Sequence, residues 1–143
     1  MASKLYAVID TNVIVSAMFT HNPESPTKLI LDYVLQGNVI PLYADEIICE
    51  YQAVLSREQF PFRAEDISAV INAIERFGIA PGKKDIEGRD FPDPKDIVFY
   101  EVALSKEGAF LVTGNSKHFP KEPIVVTPAL IPMRHAPIIC LGL

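Results

Sequence analysis

The sequence lacks the features that mark membrane and secreted proteins. Its 143 residues include no tryptophan and only two cysteines, Cys49 and Cys140, whose spacing fits no metal-binding motif. No apolar run approaches the length of a membrane-spanning helix, and the N-terminus lacks the basic-then-apolar layout of a signal peptide. We therefore expect free thiols, a cytoplasmic location and no membrane partner.

An excess of positive charge is also absent. The formal net charge is −5, whereas proteins that bind nucleic acid through many phosphates are usually basic. The charge argues against a high-affinity, salt-driven binder, but not against a nuclease whose acids are neutralised by metal ions. Hydrophobic residues make up 49% of the chain, which is typical of a globular protein. The length, without repeats or a linker, indicates a single domain over residues 1–143.

What the sequence does contain is a regular alternation of strand-like and helix-like segments. The uncharged run at residues 5–9 fits a strand that is buried on both faces, as in a parallel sheet. The patterns predict strands over residues 5–9, 39–43, 109–113 and 124–126, and helices over residues 12–19, 26–36, 44–55, 64–77 and 94–104. This order predicts a three-layer α/β/α domain around a mostly parallel sheet.

Several polar residues stand where a site could form. Asp10 directly follows the first strand, and Asn115 follows the strand at 109–113, which places both at the same edge of the sheet. Glu50 lies at the margin of the apolar arc of its helix, and Asp96 lies in the first turn of the helix that Asp93 precedes. A role as a helix cap is sufficient to explain Asp93. For Asp10, a cap and a functional site are equally good explanations, and Glu50 taken alone is explained by a solvated side chain. Together, however, such oxygen ligands suit Mg²⁺ or Mn²⁺.

Four motifs, in order, resemble those of the PIN-domain ribonucleases. They are Asp10-Thr11-Asn12, Glu50 within its helix, Asp93-Pro94-Lys95-Asp96, and Thr113-Gly114-Asn115 with Lys117-His118-Phe119. The resemblance covers nearly the whole chain and is greatest to the VapC-type toxins of prokaryotic toxin–antitoxin systems. It implies a PIN-like fold and a metal-dependent endoribonuclease that cleaves single-stranded or loop RNA.

The resemblance also implies roles for individual residues. Asp10, Glu50 and Asp96 would bind one or two Mg²⁺ or Mn²⁺ ions, and the metal would position and activate water. Asn115 occupies the place where many relatives have a fourth acid, so the three carboxylates balance one divalent ion but not two. Thr11 would orient Asp10 through a hydroxyl hydrogen bond. The residues expected to support the ligands are Thr11, Asn12, Asp93 and Thr113.

Basic residues near these motifs are candidate contacts for the phosphates of RNA, although each is more often a solvated surface charge. They are Lys83, Lys84, Arg89, Lys117 and His118. The resemblance further implies a small antitoxin protein that covers the acidic cleft, and a homodimer.

Two other functions remain compatible with the sequence. An aspartate that ends a first strand also suits a phosphatase or phosphotransferase with Asp10 as the nucleophile. Asn12, however, stands where such enzymes usually have a second acid. The non-enzymatic alternative is a catalytically inactive PIN-like module that binds RNA or protein.

Overall fold

The computed structural model describes residues 4–85 and 96–131, and the elements within these ranges follow the predicted order. The strands are β1 (Leu5–Ile9), β2 (Val39–Leu42), β3 (Phe110–Val112) and β4 (Val125–Val126). The α-helices are α1 (Thr11–Phe19), α2 (Pro26–Gln36), α3 (Asp45–Leu55), α4 (Ala64–Phe77) and α5 (Ile97–Leu104), and a 3₁₀ turn spans Ser116–His118. None of the helices in the described ranges has the length and apolar character needed to cross a membrane.

The four strands form one parallel sheet in the order β2-β1-β3-β4. Ala7, Val8 and Ile9 of β1 are each 0% exposed. Because consecutive side chains of a strand point to opposite faces, this burial means that both faces of β1 are covered. The predicted three-layer α/β/α architecture with a mostly parallel sheet is confirmed.

The strand order brings the ends of β1 and β3 together at the carboxyl edge of the sheet. Asp10 follows β1 and donates its backbone N–H to the Val112 carbonyl at 2.9 Å, while Thr113 follows β3 and donates to the Val126 carbonyl at 2.9 Å. Helix α5 packs on β1 and β3. Because α5 begins directly after Asp96, the fold directs this acid to the same edge.

Helix α5 begins at Ile97, and the predicted helical residues before Asp96 lie outside the described residues. Asp96, expected inside the first turn, is the residue before the first α-helical position, although its backbone already has helical dihedral angles (φ −77°, ψ −17°). Its side chain makes no capping hydrogen bond, so the helix end does not require an acid here. The predicted cap Asp93 and the predicted phosphate contact Arg89 lie outside the described residues.

Pro41 lies in β2, the strand at one edge of the sheet. The Pro41 carbonyl accepts a hydrogen bond from the Ile79 N–H at 3.0 Å, and the Tyr43 N–H donates to the Ile79 carbonyl at 3.1 Å. Since the nitrogen and the carbonyl of one strand residue point to the same side, the nitrogen of Pro41 faces away from β1. The pairing of β1 with β2 therefore loses no donor.

Gly78 ends α4, but for a different physical reason from the one that the helix-end pattern suggests. Gly37, at the end of α2, has the left-handed φ of 82° that favours glycine, whereas Gly78 has φ −102°. A Cβ at Gly78 would lie 2.3 Å from the carbonyl oxygen of Pro41 and 2.5 Å from that of Ile74. Close approach of two backbones, rather than an unusual dihedral angle, requires glycine here.

We expect Gly78→Ala to lower the free energy of unfolding by about 1–3 kcal/mol, the usual range for overpacking. The new methyl group would meet backbone oxygens, which cannot move aside as the end of a side chain can. Gly37→Ala is the comparison: its Cβ meets nothing within 4 Å, so only the left-handed φ opposes it. Urea denaturation measures both variants, and unchanged stability of Gly78→Ala would contradict the close approach of α4 and β2.

Candidate active site

Asp10 lies between β1 and α1, with only 6% of its surface exposed. It is the N-cap of α1, and its Oδ1 accepts a hydrogen bond from the Thr11 N–H at 2.8 Å. Burial raises the pKa of the Asp10 carboxyl above its ordinary value, and hydrogen bonds to the carboxyl only partly oppose this effect. Capping and a place in a site are therefore compatible roles for the same residue.

The second oxygen of Asp10 is held by side chains from two parts of the chain. Asp10 Oδ2 accepts from the Thr113 hydroxyl at 2.7 Å and from the Asn12 side-chain amide at 3.0 Å. Thr113 Oγ1 in turn accepts from the Asn115 N–H at 3.0 Å, and Asn12 Oδ1 accepts from the Gly114 N–H at 3.1 Å. This network ties the end of β1 to the end of β3 and fixes the orientation of the carboxylate.

The prediction that the Thr11 hydroxyl orients Asp10 is wrong. Thr11 contributes its backbone N–H, whereas its hydroxyl oxygen is buried without a hydrogen-bond partner. The reason is its position as the first residue of α1, on the face that also buries Ile14. The orienting hydroxyl belongs to Thr113, which lies 103 positions after Asp10.

Asp96 and His118 form the opposite part of the site. Asp96 Oδ2 lies 3.7 Å from His118 Nδ1, a distance that is too long for a hydrogen bond and leaves an electrostatic contact. The charge of His118 also acts to lower the pKa of Asp10. His118, one of the predicted phosphate contacts, therefore lies beside Asp96 and acts on Asp10 only through its charge.

The other two predicted site residues are more exposed than Asp10. Glu50 is half-buried on α3, and Asn115 is exposed at the start of the 3₁₀ turn. Within residues 4–85 and 96–131, no three His, Cys, Asp or Glu side chains lie close enough together to share one metal ion. The assignment of Asp10, Glu50 and Asp96 to the metal, and of Asn115 to the catalytic site, stays a prediction.

Carboxylates such as those of Asp10 and Asp96 are nevertheless donors of the kind that a divalent ion prefers. Mg²⁺ usually keeps several waters and binds through one or two carboxylates together with phosphates of the substrate. Asp10 offers a desolvated carboxylate in a fixed orientation, and its raised pKa shows that burial disfavours its charged form. A cation at this carboxylate would offset that penalty.

Tyr51 supports the site, although its position in the apolar arc of α3 indicated only a core residue. It is 1% exposed, and its hydroxyl donates a hydrogen bond to the carbonyl of Ile9, the last residue of β1. Burial and the nearby charge of Asp10 raise the pKa of Tyr51, so the phenol remains a donor. A tyrosine within an otherwise aliphatic face was the available signal, since buried tyrosines need a polar partner.

The predicted phosphate contacts on the loop after α4 are less available than expected. Lys83 forms an ion pair with Glu46 of α3, and this contact lowers the pKa of Glu46. Lys84 is exposed and donates its backbone N–H to the Glu101 carbonyl at 3.1 Å. Engagement by a carboxylate makes Lys83 a weaker candidate for RNA binding than its sequence position suggested.

Thr113→Val and Thr11→Val make the same chemical change with opposite expected results. Thr113→Val should lower the free energy of unfolding by about 1–3 kcal/mol, because Asp10 loses a donor and the Asn115 N–H loses its acceptor. Thr11→Val should leave stability unchanged or increased, since it removes a hydroxyl that has no partner. Urea denaturation measures both, and Thr113→Ser should recover much of the loss. Equal losses in the two valine variants would contradict the network.

Comparison with known proteins gives one match. A family model described as PIN domain matches residues 6–117, a range that includes Asp10, Asp96 and Thr113. No curated protein and no solved structure matches the chain. Because the matched range covers well over half of the sequence, the chain belongs to the PIN-domain family, whose members are generally nucleases that use Mg²⁺ or Mn²⁺.

Proposed function

We propose that this protein is a cytoplasmic, Mg²⁺- or Mn²⁺-dependent endoribonuclease that hydrolyses phosphodiester bonds of single-stranded or looped RNA. The observation that supports this most is the buried Asp10 carboxylate, which accepts three hydrogen bonds at the carboxyl edge of the sheet. In open α/β sheets this edge is where ligands bind. Asp96, which lies 3.7 Å from His118 at the start of α5, is the second carboxylate that we assign to the site.

In this proposal, different residues of the site have different roles. Asp10 and Asp96 hold the ion, with Glu50 as a further acid at the edge of the cleft. When bound, Mg²⁺ or Mn²⁺ supplies a water of lowered pKa and neutralises the negative charge of the leaving oxygen. Thr113 and Asn12 keep the Asp10 carboxylate from rotating, which matters because Mg²⁺ requires near-ideal octahedral geometry.

The same geometry disfavours a phosphatase in which Asp10 attacks phosphorus. Asn12, in the place of the usual second acid, donates to Asp10 instead of acting as an acid. Hydrolysis of an aryl phosphate, measured beside RNA cleavage, separates these activities. An inactive binding module would catalyse neither.

Asp96→Asn and Asp10→Asn should each abolish RNA cleavage in the presence of Mn²⁺. They should also reduce the stabilisation of the parent protein by metal, which is about 2.7 kcal/mol at a concentration 100 times the Kd. The control is Asp32→Asn on α2, which makes the same chemical change in a helix outside the site. Thermal melts with Mn²⁺ and with chelator, together with cleavage of a cellular RNA pool, measure these effects.

Asp96→Asn is the more informative of the two variants. In Asp10→Asn, an amide NH₂ would face the donors of Thr113 and Asn12, so some loss of stability accompanies any loss of activity. Asparagine has nearly the same size and shape as aspartate, so the Asp96→Asn protein should retain the circular dichroism spectrum of the parent. Cleavage by a folded Asp96→Asn protein at the parental rate would contradict the assignment of the metal site.

We further propose that the protein is the toxin of a toxin–antitoxin pair, that it forms a homodimer, and that a small antitoxin protein covers the acidic cleft. The support is the resemblance of its motifs to those of VapC-type toxins. Expression of the chain alone in a bacterium should arrest growth, because uncontrolled RNA cleavage stops translation, and Asp96→Asn should relieve the arrest. Normal growth with the folded parent protein would contradict the toxin role.

A further inference from the structure

A separate cleft lies along the connection between β3 and β4. Its volume is about 490 Å³, which is within the range of ligand-binding sites. Ser116 and Lys117 of the 3₁₀ turn line it, together with Lys121 and Glu122 of the connection and Val125 of β4. We call it the lysine cleft.

The two lysines give this cleft a local positive charge in an acidic protein. Lys117 and Lys121 are both exposed, and within the described ranges neither forms an ion pair or lies over an aromatic ring. Lys83, by contrast, is paired with Glu46. Glu122 contributes one negative charge, so the formal charge of the lining is +1, against −5 for the whole chain. The lysines are therefore free to meet a negatively charged ligand.

The 3₁₀ turn connects the lysine cleft to the proposed active site. Its residues are about 120° apart around the axis, since this helix has three residues per turn, so Lys117 and His118 point in different directions. His118 lies 3.7 Å from Asp96, whereas Lys117 lines the cleft. The preceding residue, Asn115, donates its backbone N–H to the Thr113 hydroxyl. One short turn thus contributes to both places.

We propose that the lysine cleft binds phosphates of the RNA strand that flank the scissile one, an inference that rests on the proposed ribonuclease function. The described residues that line the cleft are serine, lysine, proline, glutamate and valine, which offer no aromatic ring on which a base could stack. Contacts of lysine with phosphate position a strand without reading its sequence. The cleft therefore sets the path of the RNA across the site, and any preference of the enzyme for an RNA sequence comes from residues outside the cleft.

The salt dependence of RNA binding tests this proposal. Affinity for a fluorescently labelled oligouridylate is measured by anisotropy in chelator, which prevents metal-dependent cleavage, between 50 and 200 mM salt. Each lysine–phosphate contact contributes about 0.7 to the slope of log affinity against log salt for a single strand. The double variant Lys117→Ala/Lys121→Ala should bind more weakly at low salt, with a slope smaller by about 1.4.

The matched control is Lys4→Ala/Lys106→Ala, which removes the same charge at the opposite edge of the sheet. Lys4 precedes β1, and Lys106 follows α5 and lies over the ring of Tyr6. This control should keep the parental slope. Equal losses in the two double variants would mean that net charge, not the cleft, governs binding, and an unchanged slope in Lys117→Ala/Lys121→Ala would equally overturn the proposal.

Cleavage kinetics separate this proposal from the proposed function. With Mn²⁺, the Lys117→Ala/Lys121→Ala protein should show a raised KM and an unchanged kcat, because the lost contacts are equal in the ground state and the transition state. If the parent protein cleaves no RNA with any divalent metal, the proposed ribonuclease function fails. The salt slope measured by anisotropy still tests whether the lysine cleft binds phosphates. If cleavage depends on Asp96, but Lys117→Ala/Lys121→Ala changes neither the salt slope nor KM, the cleft proposal fails while the proposed function stands.

Discussion

The hydrogen bond from the Thr113 hydroxyl to Asp10 depends on the parallel pairing of β1 with β3, and the rest of the site depends on it. Ile9 pairs with Val112, so the two residues that follow the strands lie side by side at the carboxyl edge. A shift of one residue in this register would turn one of the two side chains to the other face of the sheet. Strand register therefore determines the geometry at Asp10.

The site concentrates unfavourable electrostatics that the surrounding structure only partly compensates. Hydrogen bonds from Thr113, Thr11 and Asn12 favour the charged form of Asp10, yet burial outweighs them and its pKa is raised. Tyr51 secures the backbone just before this residue through the Ile9 carbonyl. Burial therefore disfavours the charged form of this carboxylate, and a bound cation would offset that effect.

In the proposed function, the two kinds of charge would meet different parts of one RNA strand. The acids of the site would need a metal before a phosphate could approach them, whereas Lys117 and Lys121 would bind phosphate directly. Since the whole chain carries a net charge of −5, long-range attraction of RNA is weak. Affinity for RNA then has to come from short-range contacts close to the site.

The sequence by itself determined the fold class and most elements, because burial leaves a local pattern. The uncharged run of β1, the proline of edge strand β2 and the glycine that ends α2 each report their surroundings within a few residues. Asp10 and Asp96 also stood out, since acids beside apolar segments at element ends are visible without a structure. Membership of the PIN-domain family, which the motif order predicted, is confirmed.

Only the tertiary structure decided which side chains meet. It assigned the orienting hydroxyl to Thr113 instead of Thr11, placed Tyr51 beneath the site, paired Lys83 with Glu46, and explained Gly78 by the approach of Pro41. These contacts join residues that are 37 to 103 positions apart, and they depend on strand order, register and helix packing. Hydrophobic periodicity reports whether a side chain is buried, but not which distant group it touches.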